Sequence, residues 1–192
     1  EFVSAGGQSR NFIAALNATS GLATSWDPNA SSSVNTLTVS GTTVYVGGYF
    51  STIGGQARNR IAALDSTSAL ATTWNPNPNG TVHTLAVSGT TVYAGGSFTT
   101  IGGQARNRIA ALSTTTGLAS AWNPNASDTV NTLAASGSTL FVGGRFTTIG
   151  GQARNRIAAL DATSGLATAW DPNASHELYA LAVSGSAVYV GG

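Results

Sequence analysis

Residues 53–64 read IGGQARNRIAAL, and the same twelve letters return at residues 101–112 and at residues 149–160. A diverged copy, AGGQSRNFIAAL, occupies residues 5–16. Tryptophans recur at a constant spacing of 48 residues, at Trp26, Trp74, Trp122 and Trp170. A fixed period of this length is the signature of a repeat architecture, so the chain is one structural unit written four times.

Composition narrows the class of protein. Charged residues make up 8% of the chain, which has 24 glycines, no cysteine and a net charge of +1. A chain without cysteine has no disulfide, thiolate metal site or thiol nucleophile. All eight basic residues are arginines, without the basic stripe that follows a phosphate backbone, so we expect no nucleic-acid partner. No apolar run approaches the ~20 residues of a membrane-spanning helix, so we expect no membrane span.

One repeat contains four short runs of β-forming residues separated by turn sequences. In the second full repeat these runs cover residues 82–87, 91–94, 107–112 and 118–122. The first run ends at Ser88-Gly89, where glycine allows the positive φ of a tight hairpin. The fourth run stops before Pro124, because proline has no N–H to donate to a neighbouring strand.

Four antiparallel strands per unit at this period predict the blade of a β-propeller. We therefore predict an all-β fold with four four-stranded blades of 48 residues in a single domain, residues 1–192. The expected repeats cover residues 1–33, 34–81, 82–129 and 130–177. Residues 178–192 are expected to complete the first blade, so that the N- and C-terminal strands cover each other's edges.

A family resemblance supports this interpretation. The segment VYVGGYFSTIGGQARNRIAAL at residues 44–64 resembles the delta-60 type of bacterial β-propeller repeat. The segment LDATSG at residues 160–165, followed by Trp170, is similar to quinoprotein-like propeller blades. Such repeats recur in large secreted or surface proteins, so the resemblance implies a bacterial, extracellular or cell-surface protein. Propellers of these families usually have more than four blades, which leaves three arrangements open: a small ring, a ring shared with a second chain, and part of a longer array.

The repeated tryptophans and arginines have structural explanations. An indole at the same place in every unit predicts a structural core between blades for the four tryptophans. One equivalent set of arginines consists of Arg10, Arg58, Arg106 and Arg154. Their guanidinium groups are expected either to tie one blade to its neighbour or to form an anion-binding ring.

Acidic residues recur at the end of the third run. Asp65 and Asp161 stand where the other copies have Asn17 and Ser113. All four side chains carry an oxygen that can cap the following turn, and this shared property explains the position without a metal ion.

The candidate binding site comes from positions that differ between copies. The second residue of each inner strand is Asn35, His83, Asn131 or Tyr179. Because the starts of the inner strands converge around a propeller axis, these residues predict a small polar and aromatic ligand-binding patch. The chain has only two histidines, at non-equivalent positions, and no Gly-x-Ser-x-Gly elbow. We therefore expect no enzymatic activity, no catalytic residue, no metal site and no cofactor.

The sequence thus favours a non-enzymatic extracellular or cell-surface scaffold, an adhesion module that presents loops to a partner. Candidate partners are a surface protein, a glycan, or further copies of the chain joined through the terminal strands as a dimer or a larger assembly. The alternative is a lectin-like propeller that binds carbohydrate at shallow sites.

Overall fold

The computed structural model describes residues 2–192 of the chain, and all the regular elements in that range are β-strands. In chain order the strands are β1 (Ser4–Ala5), β2 (Gln8–Ser9), β3 (Val34–Ser40), β4 (Thr43–Gly48), β5 (Thr52–Ile53), β6 (Gln56–Ala57), β7 (Ile61–Asp65), β8 (Val82–Ser88), β9 (Thr91–Gly96), β10 (Thr100–Ile101), β11 (Gln104–Ala105), β12 (Ile109–Ser113), β13 (Val130–Ser136), β14 (Thr139–Gly144), β15 (Thr148–Ile149), β16 (Gln152–Ala153), β17 (Ile157–Asp161), β18 (Ala180–Ser184) and β19 (Ala187–Gly191).

Three complete blades repeat one antiparallel pattern. Their strand orders are β3-β4-β7, β8-β9-β12 and β13-β14-β17, and we call them the first, second and third blade. The fourth strand of each blade is an extended segment that pairs through a single bridge, as Leu64 does with Ala71. A bend at Thr73 turns the chain soon after that bridge, which keeps the segment short. The predicted β-propeller fold is confirmed.

Each repeat also contains a small outer hairpin that the sequence analysis treated as a connection. In the second blade, β10 and β11 are joined by Gly102 and Gly103, with φ of 59° and 77°. Two successive residues with positive φ form the type I′ turn that suits a two-residue hairpin. The glycine pairs in the repeated motif were the available signal for this hairpin.

The core lies between successive blades. Tyr93 and Trp122 of the second blade belong to one buried cluster with Val130 and Leu133 of the third, and their rings meet edge to face with centroids 5.3 Å apart. The indole N–H of Trp122 donates to the carbonyl of Asp161 in the third blade at 3.2 Å. Each indole therefore fills the boundary between two blades and satisfies its one polar atom there.

The same arrangement recurs at the earlier boundaries but not at the last. Trp26, Trp74 and Trp122 are 8%, 4% and 6% exposed, and the first two donate to Asp65 and Ser113 carbonyls at 3.0 and 2.8 Å. Trp170 is half-buried, and its indole nitrogen makes no hydrogen bond within residues 2–192. The predicted role in the inter-blade core is observed for the first three tryptophans.

The two ends of the chain do not pair, which corrects the prediction that residues 178–192 complete the first blade. Strands β18 and β19 pair only with each other, and we call them the C-terminal hairpin. The hairpin is fixed to the third blade, where Asn131 Nδ2 donates to the Leu178 carbonyl at 3.0 Å and Leu178 is 7% exposed. Residues 2–26 form an N-terminal partial blade against the first blade, through Ile13 and Trp26. The structure is an open arc, because the hairpin stays with the blade that precedes it.

Candidate functional site

The predicted binding residues lie at corresponding points of the inner strands. Asn35, His83 and Asn131 each sit at an irregularity in the pairing of the inner strand with the second strand of its blade. Such a bulge leaves one residue out of the regular ladder and redirects its side chain. Tyr179 precedes β18, and its N–H donates to the carbonyl of Gly191 at 2.9 Å. All four residues therefore face the same end of the arc's inner strands.

Two of these residues hold neighbouring blades together. Asn35 Nδ2 donates to the Val82 carbonyl at 3.3 Å, and Asn131 Nδ2 donates to the Leu178 carbonyl at 3.0 Å. Both bonds cross from one inner strand to the next. The amide nitrogens of this pair are thus engaged within the protein.

The other two residues contact side chains from the preceding blade. His83 is half-buried and meets Tyr49 of the first blade, with ring centroids 6.5 Å apart and an angle of 71° between the planes. Burial lowers the pKa of His83, because desolvation disfavours the imidazolium. Tyr49 is 56% exposed, so its ring covers the histidine and also presents a face to solvent.

A charged cluster occupies the corresponding place at the last boundary. Glu177 binds Arg145 Nη2 through Oε1 at 3.2 Å and accepts the Tyr179 hydroxyl on Oε2 at 2.5 Å. The hydrogen bond to Glu177, followed by its negative charge, raises the pKa of Tyr179. Asp128 lies close enough for Arg145 to help lower its pKa, although the main cause is the hydrogen bond from the Thr129 N–H.

The structure therefore reveals a second variable position that sequence analysis missed. Tyr49, Ser97 and Arg145 follow the Gly-Gly that ends the second strand of each blade. Each corresponds to a residue at the start of the following inner strand, which gives three boundary pairs that we call the mouth pairs: Tyr49–His83, Ser97–Asn131 and Arg145–Tyr179. The signal was present in the sequence, since this position differs in every copy between invariant neighbours. No hydrogen bond or ring contact within residues 2–192 joins the four predicted residues to one another.

The first arginine set lies within blades rather than between them. In each copy one terminal nitrogen donates to the carbonyl of the preceding residue and the other to a carbonyl 14 residues further along, as Arg58 does to Ala57 and Thr72 at 2.8 and 2.5 Å. Arg10, Arg106 and Arg154 make the equivalent bonds. Each arginine thus ties the outer hairpin of a blade to the fourth segment of the same blade, and its terminal nitrogens are occupied by carbonyl oxygens.

The acidic residues at the ends of the third strands cap turns, as predicted. Asp65 Oδ1 accepts hydrogen bonds from the N–H groups of Thr67 and Ser68 at 3.0 and 2.7 Å. These bonds, led by the one from Ser68, lower the pKa of Asp65. Asp161 accepts the equivalent bonds.

Two further searches covered the described range. Within residues 2–192, no group of three or more histidine, aspartate or glutamate side chains is arranged to bind a metal ion. In the same part of the chain, no helix has the length and apolar character needed to cross a membrane.

Comparison with known proteins supports the fold. The family described as a domain of unknown function (DUF5122) β-propeller matches residues 43–70. The chain resembles two computationally designed β-propellers, Ika4 and Ika8, with TM-scores of 0.60 for both and identities of 18% and 16%. The alignments cover 84% of this chain and 86% of Ika4, and 85% of this chain and 44% of Ika8. No curated protein matches the chain. These similarities identify the chain as an all-β repeat protein with the β-propeller fold.

Proposed function

We propose that this chain is a non-enzymatic extracellular or cell-surface scaffold, an adhesion module that binds its partner at the mouth pairs. The observation that carries the proposal is the contrast between the frame and this surface. The frame repeats IGGQARNRIAAL letter for letter in three copies, whereas the mouth pairs differ at every boundary. Variable side chains held by a rigid, constant scaffold are the usual design of a recognition surface.

The chemistry of the mouth pairs suits a protein partner. Tyr49 and Tyr179 are 56% and 63% exposed, and the Arg145 side chain is 54% exposed. Tyrosine and arginine dominate the energetically important positions of protein interfaces, because they combine apolar area with directed hydrogen bonds. The three residues supply both kinds of contact on one side of the arc.

The environment of the histidines supports a role without catalysis. His83 packs against Tyr49, and His176 Nδ1 lies 3.2 Å from the Ser175 hydroxyl. That serine–histidine contact joins sequence neighbours on the exposed surface, and no third group among residues 2–192 orients the imidazole. A nucleophile activated by histidine needs a base held in place by a further partner.

The proposed location rests on the repeat sequence. The finer resemblance, to delta-60 type repeats and to quinoprotein-like blades, connects the chain with large bacterial proteins that are secreted or held at the surface. We therefore place the module outside a bacterial cell.

A whole-cell binding assay tests the proposal. Fluorescently labelled chain is mixed with a panel of bacterial cells, and bound protein is measured by flow cytometry. The double variant Tyr49→Ser and Arg145→Ser introduces the residue that position 97 already carries, so the frame tolerates it. We expect at least about a tenfold loss of binding, since central interface residues each contribute roughly 1–2 kcal/mol or more. The matched control is Leu70→Ser, at a 60% exposed position remote from the mouth pairs. Equal binding by the double variant, or no binding by the wild type, would refute the proposal.

A lectin-like function is the second candidate, and the exposed rings of Tyr49 and Tyr179 favour it. Sugars stack on such rings through their apolar faces while amides and carboxylates bind the hydroxyl groups. A glycan array separates the two candidates. Signal that is lost in Tyr179→Ala and His83→Ala variants supports carbohydrate binding, whereas cell binding that free oligosaccharides do not compete supports a protein partner.

A further inference from the structure

The two ends of the arc expose apolar surface that the interior blades bury. Tyr189 in the C-terminal hairpin is 62% exposed, whereas its counterpart Tyr93 is 5% exposed. At the other end, Leu37 of the first blade is 53% exposed, whereas its counterpart Leu85 is 7% exposed. Each end therefore lacks the neighbour that the repeat was built to contact.

The N-terminal end contains an empty seat with the lining of an interior blade boundary. A hollow of about 160 Å³ is lined by Ala15, Trp26, Leu37, Val39 and Val44, among others. In the interior, the corresponding space holds the inner two strands of a blade, and Tyr93 rests there against Trp122 at 5.3 Å. None of the residues lining the hollow is charged. The seat thus has the shape and polarity of a site for an inner β-hairpin.

The C-terminal hairpin is an inner β-hairpin without an outer partner. In the second blade, β9 pairs with β12 from Thr91 opposite Ser113 to Gly95 opposite Ile109. The equivalent edge of β19 is unpaired within residues 2–192. Shifted by whole repeats, the interior register places Ala187 opposite Asn17 and Gly191 opposite Ile13. The free edges of the two ends therefore match residue by residue.

An indole at the same end points to the same missing neighbour. Trp26, Trp74 and Trp122 each donate to a carbonyl 39 residues further along the chain, at the end of the next blade's third strand. The position equivalent for Trp170, shifted by four repeats, is Asn17 at the N-terminal end. Its indole N–H makes no hydrogen bond within the described residues.

The hairpin cannot reach the seat of its own chain without leaving the third blade. It is held there by the Asn131 bond to Leu178 and by a bond from the Leu178 N–H to the Gly144 carbonyl at 3.4 Å. The seat is therefore available to the hairpin of another molecule.

We propose that copies of this chain associate head to tail, with the C-terminal hairpin of one copy filling the seat of the next. In the composite blade, β19 extends the sheet of residues 13–17, Tyr189 packs on Trp26, and the Trp170 indole donates to the Asn17 carbonyl. The contact is heterologous, because the two surfaces differ, so it produces a closed ring when the rotation closes and a filament when it does not. Its occupant is a second copy of this chain, and it is independent of the mouth pairs.

The test measures mass in solution by sedimentation velocity and light scattering across a range of concentrations. We expect the wild-type chain to form species at multiples of 19.2 kDa. Tyr189→Asp removes the hairpin's contact and Leu37→Asp blocks the seat, and both positions are exposed in a single copy, so each variant is expected to remain folded and monomeric. Leu118→Asp is the matched control at a 60% exposed position outside both surfaces, and it should associate as the wild type does.

Mixing the two variants shows which surfaces meet. The Leu37→Asp chain keeps an intact hairpin and the Tyr189→Asp chain keeps an intact seat, so the mixture can form one junction only. We expect a one-to-one complex of two chains that grows no further. A wild-type chain that stays at 19.2 kDa at all concentrations, association that survives in either variant alone, or a mixture that stays monomeric would each overturn the proposal. Because the readout is mass, its failure is distinct from a failure to bind cells.

Discussion

Tyr93 and Tyr189 hold the same position in the same repeat, yet one is 5% exposed and the other 62% exposed. The same contrast separates Trp122, which is 6% exposed and donates to Asp161, from Trp170, which is half-buried without an indole partner. The local sequence is almost identical in each case. What differs is whether a further blade lies against the residue, so burial in this fold belongs to the boundary between repeats rather than to the repeat.

The largest effect that tests this contrast comes from the tryptophans. Trp122→Ala removes a buried indole and its hydrogen bond, so we expect the free energy of unfolding to fall by about 3–5 kcal/mol. Trp170→Ala should cost only about 1 kcal/mol, because that side chain buries less apolar area. Chemical denaturation of both variants in the Tyr189→Asp background, where we expect a monomer, provides the measurement. Similar losses at the two positions would mean that the last boundary is as complete as the interior ones.

Leucines on the inner strands sharpen the same comparison. Leu85→Ala empties a position that is 7% exposed and should cost about 2–4 kcal/mol. Leu37→Ala acts at a position that is 53% exposed, and in the monomeric background it should cost less than about 1 kcal/mol. In the wild-type background the cost of Leu37→Ala should rise with protein concentration if copies associate. A loss that is large and independent of concentration would contradict the assignment of Leu37 to an open seat.

Adjacent glycines separate crowding from backbone strain within one turn. A Cβ at Gly102 would lie 2.4 Å from the backbone nitrogen of Ala119, whereas a Cβ at Gly103 would meet no atom within 4 Å. Both residues have positive φ, so alanine is strained at either position. We expect Gly103→Ala to cost about 1 kcal/mol from strain alone and Gly102→Ala about 2–3 kcal/mol, since its backbone neighbour must also move. Thermal denaturation of the two variants side by side measures the difference, and equal losses would show that the bridge segment yields freely.

The smallest expected effect concerns the turn caps at acid pH. The pKa of Asp65 and of Asp161 is lowered in the folded state, chiefly by the hydrogen bond from the N–H of Ser68 or Ser164. Their contribution to stability is therefore complete above the unfolded pKa of about 3.9 and is lost as the pH falls through the lower folded value. Replacing both with asparagine should flatten the fall in stability below about pH 4.

Asn17 is the natural control for this change, because its Oδ1 accepts the same bonds from Thr19 and Ser20 at 3.0 and 2.8 Å. Urea denaturation of the wild type and of the double variant at a series of pH values gives the two curves. Curves that stay parallel into acid would show that neither carboxylate titrates with folding.

Much of the fold was predictable because it is encoded locally and repeated. Alternation of apolar residues, glycine turns and the proline after Trp122 located three of the strands in each repeat to within a few residues. The outer hairpin was missed although Gly102 and Gly103 announce a type I′ turn, because each of its strands contains only two residues. Strands so short carry no periodicity of their own.

The candidate site was predictable only in part. Sequence comparison between repeats found His83 and Tyr179, but it paired neither with its actual neighbour. Tyr49 and Arg145 come from the preceding blade, 34 residues away in the chain, and only the packing of blades brings them to those side chains. Asn35 and Asn131 turned out to bind neighbouring carbonyls, which depends on a bulge that no local pattern specifies.

The sequence alone determined the period, the all-β character and the blade, because turn chemistry and side-chain alternation act over a few residues and recur in every copy. Only the tertiary structure decided which faces are covered, because burial depends on a neighbour that the local sequence does not contain. The open ends of the arc show this most directly, since the same tyrosine is core in one blade and surface in the last.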